Sequence, residues 1–164
     1  MDNLTFEQKL QRYADLVVKV GLNIQPGQRL VVIASPVEVA PLVRAITVSA
    51  YQNGCKLVTV VWADQQVNLA RYQYAPDESF EESADWMLAG LAGSMEQGDA
   101  YLQVYGLDPE AYQGQDPERI AASGRMFSKN YAPISAMQGK NAIQWALVGA
   151  PTPAWAAKVF PDKP

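Results

Sequence analysis

The side chains able to do chemistry are few in this sequence, and the most versatile of them is missing: 164 residues contain no histidine. That removes the imidazole ligands on which most catalytic zinc centres depend, and the usual base partner of a serine or cysteine nucleophile. Cys55, the only cysteine, follows a glycine at the start of a strand-like run and has no histidine to deprotonate it, so it reads as a buried structural thiol. The serines meet the same objection: no Ser–His arrangement can exist, no GxSxG occurs, and no spacing singles out a Ser–Lys pair. Asp77, Glu78, Glu81, Glu82 and Asp85 have the composition of a metal or acid–base cluster. The same run suits the first turn of a helix, where carboxylates oppose the positive end of the macrodipole, and a solvated helix start is the expectation.

Phosphate chemistry finds no support either. The GxxxxGK(S/T) pattern is absent, and the first strand leads into Ser35-Pro36, without the glycines that let a backbone approach a pyrophosphate. In an open parallel sheet, ligands sit beyond the carboxyl ends of the strands. Those ends fall at Ser35, Asp64, Gly106 and the run Gly149-Ala150-Pro151-Thr152. Ser35, Asp64 and Thr152 are each also accounted for as helix N-caps, which is the role expected of them.

The elements that would position these residues follow from periodicity and punctuation. Thr5 and Gln8 have capping-box spacing, and Phe6, Leu10, Tyr13, Val17 and Val20 mark one helical face that Gly21 should end in a left-handed cap. Gln25-Pro26-Gly27-Gln28 is a type II turn. Arg29 to Ala34 is an apolar run suited to a strand buried on both faces. Ser35, Pro36 and Glu38 predict a capping box for the next helix, which carries Val39, Leu42, Val43, Ile46 and Ala50 and stops at Asn53-Gly54.

Lys56 to Trp62 is a second strand. Asp64 caps a helix to about Tyr74, and Ser79 with Glu82 predicts a third capping box for a helix carrying Phe80, Ala84, Met87, Leu88, Leu91 and Met95. Ala100 to Tyr105 is a third strand. Asp108 and Asp116 each precede a proline as cap signals, the second opening a helix with Ile120, Phe127 and Tyr131. Ala142 to Gly149 is a fourth strand, and Thr152-Pro153 opens a last helix with Trp155, Val159 and Phe160. This alternation predicts an α/β fold: a mostly parallel sheet of about four strands with helices on its faces, a three-layer, Rossmann-like arrangement. The four tryptophans and eight tyrosines are expected in the core, except Trp155, which lies among prolines and is placed to meet a second domain or a partner subunit.

The net charge of −4 and the scattered Lys9, Arg12, Lys19, Arg29, Arg44, Lys56 and Arg71 argue against nucleic acid as a partner. The N-terminus lacks the regions of a signal peptide, and no apolar run is long enough to span a membrane, so a soluble, cytoplasmic protein is expected.

Four segments, in order, carry a resemblance. Tyr13 to Gln28 (YADLVVKVGLNIQPGQ), Pro36 to Arg44 (PVEVAPLVR), Ala75 to Ser79 (APDES) and Ala150 to Ala156 (APTPAWA) together resemble the opening of the thermophilic metallo-aminopeptidases, the aminopeptidase T, S and II type. The resemblance implies a cytosolic exopeptidase that removes N-terminal amino acids from peptides. It implies an N-terminal α/β domain, a larger C-terminal catalytic domain and a homodimer. The implied cofactors are two divalent metal ions (zinc, cobalt or magnesium) held by the catalytic domain, where a metal-bound water attacks the scissile carbonyl and a carboxylate acts as base. Residues 1–164 would then be the N-terminal domain of a longer enzyme, non-catalytic by itself, helping to form the substrate cavity and the assembly. No catalytic, cofactor-binding or metal residue is assigned to any position here. The competing expectation is a stand-alone α/β binding or dimerisation module without enzyme activity.

Overall fold

A computed structural model describes residues 4–162, and its first helix begins where Thr5 and Gln8 predict. Gln8 N–H donates to Thr5 Oγ1 (3.3 Å) and Thr5 N–H donates to Gln8 Oε1 (2.9 Å), which closes the capping box. Helix α1 (Phe6–Leu16) continues as a π turn over Val17–Gly21. The left-handed exit expected at Gly21 falls on Asn23 (φ 51°) instead. The wider turn, with Leu22 N–H bonded to Val17 O at 2.8 Å, carries the chain past Gly21 before it leaves the helix. The Pro26-Gly27 turn forms as expected, with Gly27 at φ 81° and Gln28 N–H bonded to Gln25 O at 3.0 Å.

Strand β1 (Arg29–Ser35) is one residue longer than expected, and this changes the role of Ser35. Ser35 pairs with Tyr105 in the sheet, so it does not cap a helix. A 3-10 turn over Val37–Val39 follows, and α2 (Ala40–Gln52) starts without a side-chain cap, so Glu38 completes no capping box. Gly54, at φ 85°, ends this unit as expected.

Strand β2 (Leu57–Trp62) leads to α3 (Gln65–Tyr74), capped as expected by Asp64, whose Oδ1 accepts from Gln66 N at 2.8 Å. The Ser79–Glu82 capping box does not form. Asp77–Glu81 is a 3-10 turn, and α4 (Asp85–Glu96) begins beyond it. Arg71 donates to the carbonyls of both Ser79 and Glu82, and the buried Phe80 ring lies 5.2 Å from the Arg71 guanidinium and 5.4 Å from that of Arg119. These contacts hold the turn where a local cap was expected.

After strand β3 (Ala100–Tyr105), Asp108 opens a turn and no helix: its Oδ1 accepts from Glu110 N at 2.9 Å. Helix α5 (Pro117–Gly139) starts at the expected cap, Asp116. Strand β4 (Trp145–Gly149) is shorter than the Ala142–Gly149 run, and α6 (Pro153–Val159) is capped by Thr152.

All four strands are parallel, in the order β2-β1-β3-β4. Leu30, Val32 and Ala34 of β1, with Leu102 and Val104 of β3, face α1 and α2. Val31 and Tyr101 face Leu88, Leu91 and Met95 of α4 and Ile134 of α5. Alternate residues of the central strands therefore feed two cores, and the three-layer α/β architecture follows from that alternation. No helix among the described residues is long and apolar enough to cross a membrane.

Candidate functional site

The order β2-β1-β3-β4 places the switch point of the sheet between β1 and β3, where successive connections leave in opposite directions. The predicted strand-end residues converge there. Gly106 N–H donates to Ser35 O (2.9 Å), and Thr152 Oγ1 donates to Gly106 O (2.8 Å) while accepting from Trp155 N (3.4 Å). A depression of about 230 Å³ lies over this corner, lined by Glu38, Asp64, Gly106, Asp108 and Thr152 among others.

The corner satisfies itself. Gln65 binds the backbone of Asp108 twice, donating to Asp108 O (3.1 Å) and accepting from Asp108 N (2.7 Å). Asp64 and Thr152 are occupied as caps of α3 and α6, the roles expected of them. Gly106 is dictated by contact: a Cβ there would lie 2.5 Å from Thr152 Cγ2 and 2.9 Å from both Ala150 O and Val39 Cγ1. Gly149 is glycine for a similar reason, because the Trp155 ring would meet a Cβ at 2.8 Å. Trp155 thus packs back onto its own β4 corner while part of its ring stays exposed.

The remaining candidates are kept apart by the fold. Cys55 is buried just ahead of β2, and burial pushes its thiol above the ordinary range. The acidic run is distributed over a 3-10 turn and the start of α4. Asp77 pairs with Arg119 at 2.7 Å, and Asp85 accepts from Asn130 at 2.6 Å. No three His, Cys, Asp or Glu side chains come together as a metal-binding group among the described residues. This donor set does not fit a divalent-metal centre.

Sequence reasoning missed the structural role of Gln65, a buried amide whose two bonds to the Asp108 backbone close the corner from 43 residues away. Nothing in the local pattern around Gln65 announces that partner. It also missed the outward apolar surface of β4 and α6, where Leu147, Val159 and Phe160 are each more than half exposed.

Comparison with known proteins places this geometry. The profile of the thermophilic metalloprotease (M29) family matches residues 6–164. The chain is 40% identical over 157 residues to Aminopeptidase 2 of Geobacillus stearothermophilus, covering 96% of this chain and 38% of that relative. It is likewise 40% identical over 159 residues to Aminopeptidase AmpS of Bacillus subtilis, covering 97% and 38%. The solved structure of wild-type AmpT from Thermus thermophilus superposes with a TM-score of 0.92 at 32% identity, covering 98% of this chain and 40% of that one. The chain spans well under half the length of each of these proteins.

Proposed function

The chain belongs to the thermophilic metalloprotease (M29) family, and from that premise we propose that it is the N-terminal domain of a metal-dependent aminopeptidase. In this reading the parent protein is a cytoplasmic homodimer. It removes N-terminal amino acids from peptides at a centre of two divalent cations (zinc, cobalt or magnesium) held outside residues 1–164. The present segment is non-catalytic. It forms part of the wall of the substrate cavity and part of the assembly.

The observation that carries this reading is the combination of two facts. Nearly the whole chain matches aminopeptidases, yet it spans only 38% of Aminopeptidase 2 and 40% of the AmpT chain. The matched part has no histidine and no metal-donor cluster among its described residues. The self-satisfied corner at the strand ends supports a scaffolding role, since its polar groups are spent on one another. The apolar side chains exposed on β4 and α6 supply a surface for a neighbouring domain.

The test is a paired assay of amino-acid release from unblocked and N-acetylated peptides, with zinc, cobalt or magnesium added. The 164-residue chain is compared with the polypeptide translated from the complete reading frame of its gene. The expected result is release by the longer polypeptide from unblocked peptides only, and none by the shorter chain. Metal-dependent release by the 164-residue chain would overturn the assignment of the chemistry to residues outside it. A complete reading frame that ends at Pro164 would overturn the two-domain reading.

A further inference from the structure

Helix α2 ends on the pair Asn53-Gly54, which is a chemical liability as well as a stop signal. An asparagine followed by glycine readily loses its side-chain amide, because glycine puts no side chain in the way of its own backbone nitrogen. Of the six asparagines, Asn53 alone precedes a glycine.

The fold holds this pair in an unreactive geometry. Asn53 Nδ2 donates to Ser49 O (2.7 Å), and Gly54 N–H, on the nitrogen that would attack, donates to Tyr51 O (3.0 Å). Gly54 O accepts from Gly27 N (2.8 Å), and Gly54 lies so close to the Pro26-Gly27 turn that a Cβ on it would sit 3.2 Å from Pro26 Cα. The next two residues are tied down as well: Cys55 N–H donates to Ala50 O (3.0 Å) and Lys56 N–H to Gln28 O (2.7 Å). Attack closes a five-membered ring through Gly54 N and the C, Cα, Cβ and Cγ of Asn53. That ring puts Gly54 N on the Cβ side of Asn53, at a ψ of about −120° for a tetrahedral Cα. Asn53 stands at ψ 16°, which turns Gly54 N nearly opposite Cβ.

We propose that Asn53 is a deamidation site gated by this corner, protected while the turn between α2 and β2 is closed and reactive once it opens. In the open form Gly54 N gives its proton to hydroxide and bonds to Asn53 Cγ. The Cγ–Nδ2 bond breaks, and the nitrogen leaves as ammonia with a proton from water. Water then opens the succinimide at either carbonyl, leaving aspartate or isoaspartate at position 53; the sum is one water in and one ammonia out. The step runs one way in structure as well as in chemistry. A carboxylate cannot donate to Ser49 O, and it sits at the negative end of the α2 macrodipole. Isoaspartate also lengthens the main chain by one carbon, which displaces Gly54 from both Tyr51 and Gly27. The reaction draws on no metal and no second domain, so it stands independently of the peptidase reading.

The test is incubation of the 164-residue chain at mildly alkaline pH, folded or in guanidinium chloride, with peptide mapping of the aspartate and isoaspartate forms at position 53. The folded chain is expected to react at least about tenfold more slowly than the denatured one. Gly27→Ala strains a backbone at φ 81° without a clash and so loosens the contact to Gly54 O. It should speed reaction of the folded chain several-fold and leave the denatured rate unchanged. Asn53→Asp should unfold at lower urea than Asn53→Ser, which also lacks Nδ2 but carries no charge. No reaction at position 53 of the denatured chain would remove the site itself. Equal folded and denatured rates, or a folded rate unmoved by Gly27→Ala, would overturn the gate, and equal stability of the two position-53 variants would overturn its one-way character.

Discussion

Replacing Gly106 by alanine should be among the most damaging single-methyl changes this chain can suffer. The added Cβ would lie 2.5 Å from Thr152 Cγ2 and 2.9 Å from Ala150 O and Val39 Cγ1. Optimal carbon contacts lie at about 3.5–4.0 Å, so each neighbour must retreat by roughly an ångström. None can do so freely. Ala150 O is backbone, Val39 is buried, and Thr152 is held by the 2.8 Å bond from its Oγ1 to Gly106 O. The cost belongs at the upper end of overpacking, about 3 kcal/mol. Thr152→Ser keeps the hydroxyl and removes only the offending methyl, for about 1 kcal/mol. Combined, the two changes should cost about 2.5 kcal/mol instead of the additive total of about 4, a coupling of about 1.5 kcal/mol. Equilibrium urea unfolding of the four proteins, followed by tryptophan fluorescence, measures this cycle. Gly106→Ala within about 0.5 kcal/mol of the parent chain, or strict additivity in the double variant, would refute the steric argument.

Three further perturbations test other parts of the fold. Thr5→Ala removes one half of the capping box and should lower stability by about 1 kcal/mol, while the same change at the uncapped Thr47 position should show no capping loss in helix propensity measured by circular dichroism. Cys55 should remain unreactive towards a disulfide reagent at mildly alkaline pH until denaturant is added, because burial both raises its pKa and blocks access; rapid labelling of the native chain would contradict this. The Asp15 carboxyl is held below its ordinary range, first by the bond from Ser49 Oγ (2.6 Å) and also by Lys19, against an opposing effect of burial. Since the folded pKa is the lower one, this stabilisation is present above about pH 4 and is lost as pH falls through the folded value. Ser49→Ala should therefore reduce the acid-induced loss of stability below about pH 4, and an unchanged acid limb in a pH series of urea titrations would count against the assignment.

Much of the architecture was legible because strands and helices here are written in separate periods. The apolar runs at Arg29, Lys56 and Ala100 became β1, β2 and β3, and the Thr5, Asp64, Asp116 and Thr152 caps formed as read. Three of the misreadings share one cause, a local signal overruled by a partner farther along the chain. Ser35 has the residue type and spacing of a cap, but its ladder position opposite Tyr105 extends the strand through it. Ser79 and Glu82 have capping-box spacing, but Arg71 holds both their carbonyls in a turn. Asp108 precedes a proline like Asp116, yet Gln65 takes its backbone N–H and C=O. At the strand ends, Asp64 and Thr152 read correctly as caps because capping is a contact within three residues. The closure of that corner by Gln65, and the close approach that demands Gly106, depend on contacts 43 and 46 residues apart and leave no local trace.

The strand order also has a consequence for synthesis. β1 and β2 are joined by a single crossover helix and pair directly, so this unit is complete once Trp62 is available. The strand that covers the other side of β1 does not begin until Ala100. At roughly 5–20 residues per second, the intervening stretch takes a few seconds to emerge from the ribosome. During that interval β1, the future centre of the sheet, is an open edge whose free N–H and C=O groups and apolar side chains are available to any passing strand. The nascent chain is thus most vulnerable to mispairing before β3 arrives, and slowing translation between Trp62 and Ala100 would lengthen that window.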